Sequence, residues 1–311
     1  MVIAGGSGFL GRSLTGYLLD RGDRVTVLSR SAEPEDRGQR RAGVAWRRWD
    51  AKTPGDWSEA LSAADAVVNY VGRSVDCRKT PANRRLIMDS RLDSCRVLGE
   101  AMRQVRQPPP VWVQSATAHI IGDPVPEDTL CDDDTPPGPR DELAPSVGVA
   151  WEQAFDDAKL PDQRGVKLRI SFVLGPGGGA MSRLSKLTKL GLGGTVGSGR
   201  QWISWIHVHD LNRLVDHCIS DDTFEGVYMT TAPNPVTNRD FMRAMRRAYR
   251  RPWSPPAPAP AVRLASRLIL NTDPELALLG RRCVSTRLRD KHGFTFEYEH
   301  VEAALRDVAR G

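Results

Sequence analysis

Three glycines at the head of the chain set the narrowest limits on its fold. Val2-Ile3-Ala4 reads as a short buried strand, and Gly5-x-x-Gly8-x-x-Gly11 follows it at once. Leu10, Leu14, Tyr17 and Leu18 then repeat at helical spacing, and Gly22 stops that helix. Strand, glycine turn and helix in this order build a phosphate cradle. One glycine makes the tight turn, a second lets the backbone approach a pyrophosphate, and a third lets helix pack on strand. The helix start offers free N–H groups and a partial positive charge. Gly5, Gly8, Phe9, Leu10 and Gly11 are therefore the expected contacts to a dinucleotide.

The first half of the chain repeats the strand-helix alternation. Val25–Leu28, Val44–Trp46, Ala66–Val71, Val111–Gln114 and Val166–Val173 read as further strands. A long helix is expected over roughly 82–105, and another over Trp151–Lys159. Strands separated by helix-length connections predict an α/β fold, a doubly wound parallel sheet of Rossmann type. The texture changes near residue 175, where glycine-rich loops begin. We expect a dinucleotide-binding domain over 1–175, completed by 206–232. A substrate-binding region with a small C-terminal helical domain then occupies 176–311. Ile203–Val208 reads as a strand, with Asp210 capping the helix after it. The Pro/Asp-rich stretch Pro124–Pro139 reads as a surface loop placed where a lid could lie.

Composition narrows the classes. With 40% apolar and 26% charged residues the chain can bury a core. No apolar run approaches the ~20 residues of a membrane helix, and Met1-Val2-Ile3-Ala4 is unlike a signal peptide. Five cysteines without a Cys-x-x-Cys pair argue against a disulfide scaffold or zinc ribbon, and fit a reducing cytoplasm. A net charge of +6 spread along the chain is weak support for nucleic acid. Arg243, Arg246, Arg247, Arg250 and Arg251 form one basic helix face, for which solvation is the default. The expected partner is a small-molecule substrate. Neither nucleic acid nor membrane is expected, and a homodimer is compatible with this reading.

The end of the second strand selects the cofactor. An acid there binds ribose hydroxyls, whereas a cation accepts a 2′-phosphate. Leu28-Ser29-Arg30-Ser31 has no acid until Glu33. Arg30, with the hydroxyl of Ser29, thus predicts NADP. Asp50, after the third strand, is a candidate for the adenine amino group, or an ordinary exposed loop aspartate.

Further segments carry a family resemblance. They are Asn69-Tyr70-Val71-Gly72, Ser90-Arg91, Ser115-Ala116-Thr117, Trp151-Glu152, Gly178-Gly179-Ala180, Gly197-Ser198-Gly199-Arg200-Gln201, Trp205-Ile206-His207 with Asp210, and Gly293-Phe294-Thr295-Phe296. Together with the glycine opening, they resemble the atypical extended short-chain dehydrogenase/reductases classed as sugar-nucleotide-epimerase-like proteins. Those proteins end in a C-terminal domain of unknown function, and the similarity spans essentially the whole chain. It implies a Rossmann-type NADP domain, a small substrate domain, and Val71 and Gly72 beside the cofactor.

Proton chemistry departs from the wider superfamily, which pairs Tyr-x-x-x-Lys. Four residues after the tyrosines at 17, 70, 228, 249 and 298 stand Arg21, Ser74, Ala232, Trp253 and Glu302. None is lysine. A Tyr-Tyr-Gly that the family often carries after the fifth strand is Ile120-Ile121-Gly122 here, and His119 precedes it. Ser115, at the carboxyl edge of that strand, is the hydroxyl expected nearest the nicotinamide, or else a loop cap. His119 is the candidate for proton transfer, or a structural histidine. Arg200, Gln201, Trp202, Trp205 and His207 are candidates for the substrate wall, with a structural role as the alternative for Arg200 and Gln201 and core packing the favoured reading for Trp205. No metal site is expected. The leading reading is an NADP-dependent oxidoreductase or epimerase-like enzyme that moves a hydride to or from a small polar substrate. The alternative is a catalytically weak NADP(H)-binding regulator or redox sensor.

Overall fold

The computed structural model describes residues 1–31, 43–123, 126–268 and 273–311. Glu33 and Pro124 of the sequence reading lie outside them. The first half comprises β1 (Val2–Ala4), α1 (Phe9–Asp20), β2 (Val25–Ser29), β3 (Val44–Arg48), β4 (Ala66–Asn69), α2 (Pro81–Gln104), β5 (Val111–Thr117), β6 (Leu130–Cys131), α3 (Leu143–Ala158) and β7 (Arg164–Ile170). There follow β8 (Phe172–Leu174), α4 (Gly179–Lys189), β9 (Trp202–Ile203), β10 (Trp205–His207), α5 (Val208–Ser220) and β11 (Gly226–Thr230). The chain closes with β12 (Val236–Thr237), α6 (Asn238–Ala248), α7 (Ala259–Leu268), α8 (Glu275–Leu278), β13 (Arg282–Cys283), α9 (Thr286–Asp290) and α10 (Val301–Arg310).

Seven strands form one parallel sheet in the order β11-β7-β5-β4-β1-β2-β3. The β-branched, apolar runs of β1, β2 and β4 suit strands buried on both faces, while the edge strand β3 ends on exposed Arg47 and Arg48. Ile3, Val27, Val68, Val113 and Leu168 pack with Leu14 of α1 and Leu214 of α5 on one face. Val2, Val67 and Trp112 pack with Leu98 of α2 and Phe155 of α3 on the other. The fold is thus the doubly wound α/β sheet that the alternation predicts. A third cluster gathers Met181 of α4, Trp205, Phe241 of α6 and Leu305 of α10 into a smaller unit.

Several boundaries differ from the sequence reading, each for a local reason. The fourth strand stops at Asn69, not Val71, because the Asn69 side-chain oxygen accepts the Val71 N–H at 3.0 Å and turns the chain. The run over 166–173 divides at Ser171, whose hydroxyl donates to Thr230 O, and β8 pairs with β10 instead. The run over 203–208 also divides. Ser204 sits between β9, which pairs antiparallel with β12, and β10, while Val208 already belongs to α5. His207, not Asp210, caps α5, its Nδ1 accepting the His209 N–H at 3.3 Å. Asp210 is buried and accepts the N–H groups of Glu297 and Tyr298, each at 2.9 Å, so it fastens the C-terminal segment. α3 begins at Leu143 rather than Trp151.

The proline-rich loop is also tied down where it is described. Asp133 is buried and accepts from Ser285 Oγ and from the N–H groups of Met229, Thr286 and Arg287. It thereby caps the start of α9. Cys131 of β6 lies in register with Cys283 of β13, and Asp128 accepts the Trp202 indole N–H at 2.8 Å.

Candidate cofactor and active site

The carboxyl ends of β1, β2, β4 and β5 converge on the glycine turn. Gly5 has φ +77°, and its N–H donates to Leu28 O of β2 at 3.1 Å. A Cβ at Gly11 would lie 2.4 Å from Gly6 Cα and 2.6 Å from Gly5 O. Only glycine lets the helix approach the turn so closely. The first bond of α1 runs from Arg12 N to Gly8 O. The N–H groups of Phe9, Leu10 and Gly11 precede it and are left for an anion. The first turn of α1 carries no acid to compete. Phe9 also packs its ring against the Gly175–Gly179 loop, so that loop braces the turn. These features fit a dinucleotide.

At the end of β2 the Ser29 hydroxyl is buried, donates to Ser7 Oγ at 3.0 Å and accepts from Ser31 N. Arg30 is exposed beside it. Arg48 stands opposite Ser29 in the β2–β3 register, and Arg12 donates to Ser7 O at 2.6 Å. Ser7, Arg12 and Arg48 were not singled out from sequence. Asp50 accepts from Lys52 N, Thr53 N and Thr53 Oγ1. Those bonds hold its carboxyl below the usual range and direct it into its own turn.

A buried polar network fixes the other end of the cleft. Asn69 Nδ2 donates to Gln114 Oε1 at 3.0 Å, and Ser115 Oγ donates to Asn69 O at 2.7 Å. Gly72 follows, with the Arg91 guanidinium 3.2 Å from where its Cβ would be. Arg91 donates to Ile87 O and Arg73 O and lies 4.8 Å over the Trp151 ring. Burial lowers its pKa to about 10. The last residue of β5, Thr117, is half-buried and its hydroxyl accepts from His119 N at 3.2 Å. It gives this edge a second hydroxyl, one that sequence reasoning passed over.

His119 lies in the single helical turn Ala118–Ile121. Burial, and then the nearby Arg281 cation, hold its imidazole well below the ordinary range. Arg281 reaches this turn from the C-terminal unit, donating to Gly122 O at 2.8 Å and Asp123 Oδ1 at 2.7 Å. It has no sequence motif to reveal it. A depressed histidine pKa means the unfolded chain takes up the proton first. Stability from this group is whole above about 6.5 and falls as pH drops from there toward the folded pKa. Thermal melts between pH 8 and 5 should therefore show a smaller acid-side loss for His119→Gln than for the parent.

Three of the substrate-wall candidates separate. Gln201 is buried and spends its amide on Val196 O at 3.0 Å and Ala277 O at 2.9 Å. Trp202 is half-buried between Asp128 and the Arg282 guanidinium, 4.7 Å from its ring. Arg200 is exposed. Each tyrosine hydroxyl is placed elsewhere. Tyr17 faces Asp216, Tyr228 meets His292, Tyr249 meets Ser185, Tyr70 is buried near Cys218 and Tyr298 packs on His207. Among the described residues no His/Cys/Asp/Glu group has the arrangement to hold a metal ion.

A parallel sheet in this order, entered through a glycine turn whose helix start is free for an anion, defines a Rossmann-type α/β protein. Residues 1–228 match the NAD dependent epimerase/dehydratase family, and residues 257–308 match a domain of unknown function, DUF1731. The chain belongs to the NAD dependent epimerase/dehydratase family. It is 32% identical to the epimerase family protein SDR39U1 of Bos taurus, over 99% of both chains. It is 29% identical to the epimerase family protein YfhF of Bacillus subtilis, over 98% of this chain and 96% of that one. The solved structure of human epimerase family protein SDR39U1 (isoform 2) with NADPH superposes with a TM-score of 0.85 at 29% identity, covering 100% and 99% of the two chains. A Thermus thermophilus UDP-glucose 4-epimerase complex with NAD shares the fold, with a TM-score of 0.77 at 23% identity over 100% and 98%.

Proposed function

We propose that this chain is an NADP(H)-dependent oxidoreductase or epimerase-like enzyme that works by hydride transfer on a small polar substrate. The observation that carries the reading is the acid-free end of β2, where Ser29, Ser7 and Arg30 adjoin the glycine turn. The NADPH of the solved human relative supports it. Phe9, Leu10 and Gly11 would hold the pyrophosphate through their N–H groups, and Ser29 and Arg30 the 2′-phosphate. Asp50 would border the adenine, and Val71 and Gly72 the nicotinamide ribose. Bound there, the dinucleotide supplies or accepts a hydride. Thr117 and Ser115 would offer hydroxyls for the substrate oxygen, and Arg200 and Trp202 would border the substrate from the C-terminal unit. His119, held neutral, accepts a proton only weakly. In this reading the protein works in the cytoplasm, where its five unpaired cysteines stay reduced.

Calorimetric titration tests the cofactor. NADPH should bind at least tenfold more tightly than NADH, a difference of about one charge-assisted hydrogen bond. Arg30→Ala should weaken NADPH by roughly tenfold and leave NADH unchanged. Equal or tighter NADH binding by the parent would refute the assignment.

A second reading, a weakly catalytic NADP(H)-binding regulator, is favoured by one set of contacts. The Ser115 hydroxyl already donates to Asn69 O, and the five tyrosine hydroxyls lie elsewhere. If the protein holds NADPH yet oxidises it with no carbonyl in a broad panel, this reading replaces the first.

A further inference from the structure

The five arginines of the basic helix face line an open hollow of about 510 Å³ together with Pro252. Only Arg243 has a carboxylate partner among the described residues, Asp240 at 2.8 Å. Arg246 donates to Gly193 O at 2.9 Å and Arg251 to Lys189 O. Carbonyl partners hold a guanidinium in place without cancelling its charge. Lys186 and Lys189, in the last turn of α4, add two more cations. Lys189 Nζ lies 5.3 Å from the Tyr249 ring. The hollow is thus a positive concavity in which, among the described residues, only Arg243 is compensated by a carboxylate, and the α4 end supports it from behind.

The same two carbonyl bonds lay the turn 189–193 against the arginine segment. That turn carries Leu190 and Leu192, 75% and 55% exposed, and Trp253 follows Arg251 at 72% exposed. A solvated helix face explains arginines. It does not explain two leucines and a tryptophan left in water beside them, since single exposed apolar residues are ordinary but a group next to a charged hollow is not.

We propose that this edge, residues 186–192 with 243–253, seats the protein on the surface of an anionic lipid bilayer. Cations attract the negative headgroups, while leucine and tryptophan enter the headgroup boundary. The hollow receives a lipid phosphate. Nucleic acid would use the arginines but gain nothing from Leu190 and Leu192. A second copy docked by twofold symmetry on this edge would set like charges against each other. No described helix is long and apolar enough to cross a membrane, so the contact is made from one side. It departs from the sequence expectation of no membrane contact.

Vesicle sedimentation of the full chain tests this. Vesicles mixing phosphatidylcholine with about one quarter phosphatidylglycerol should bind the protein at least tenfold more tightly than pure phosphatidylcholine. Arg247→Glu with Arg250→Glu should weaken that binding more than tenfold. Leu190→Ser, Leu192→Ser and Trp253→Ser together should also weaken it about tenfold, at unchanged charge. Thermal melting and dinucleotide titration report the fold of each variant. Failure to bind the anionic vesicles overturns the proposal. So does a triple variant that binds like the parent, which would leave a purely cationic surface. Tighter binding of a short DNA duplex, insensitive to the apolar changes, would reassign the edge to nucleic acid.

Discussion

Glu152→Ala should cost about 3–5 kcal/mol of unfolding free energy, read by denaturant titration. Glu152 on α3 and Arg169 on β7 meet fork to fork, with Nε–Oε1 at 2.8 Å and Nη2–Oε2 at 3.0 Å. Their side chains are 11% and 8% exposed. Removing the carboxylate leaves the guanidinium buried without an anion, which costs far more than the pair contributes. Arg169→Met should therefore be as damaging, while Glu152→Leu with Arg169→Met should recover much of the loss. The pair also positions the cleft, because it fixes the neighbour of Trp151, on whose ring Arg91 lies behind Gly72. A change below about 1 kcal/mol for Glu152→Ala would match an exposed pair and contradict this packing.

Gly11→Val should abolish useful dinucleotide binding, lowering affinity by roughly 100-fold or more. The added atoms meet backbone, Gly6 Cα and Gly5 O, and backbone cannot rotate aside as a side chain can. The helix must shift from the turn, moving the N–H groups of Phe9, Leu10 and Gly11 away from where they would meet the phosphates. Overpacking of this kind adds about 1–3 kcal/mol of destabilisation. Thermal melting separates the two effects. A variant that stays folded but still binds NADPH like the parent would show that the turn is packing alone.

Much of the fold is written in short segments. The inner strands β1, β2 and β4 are apolar on both faces, so their runs survive without tertiary information. The glycine turn is partly local, since Gly8 and Gly11 answer to Gly5 and Gly6, whereas Gly5 is packed against Tyr70. What the sequence concealed is set by partners far along the chain. Ser171 and Ser204 end strands by bonding to Thr230 and to the 281–283 segment. Asp210 resembles a helix cap by position, yet its carboxylate serves Glu297 and Tyr298. Gln201 sits in a distinctive motif, but its amide braces the 196 and 277 carbonyls. Arg48 and Arg281 join the cleft only through strand register and the return of the C-terminal unit. Thr117 was hidden by its neighbour. Ser115 is the more obvious hydroxyl in sequence, and only the structure shows which of the two ends β5.

The fastening of the 126–135 segment bears on how that margin of the fold opens. Because Asp128, Cys131 and Asp133 each grip a different part of the C-terminal unit, the segment cannot flap independently of it. Hydrogen exchange should therefore register protection of 126–135 together with that of the segments it grips, as one unit rather than as a frayed margin.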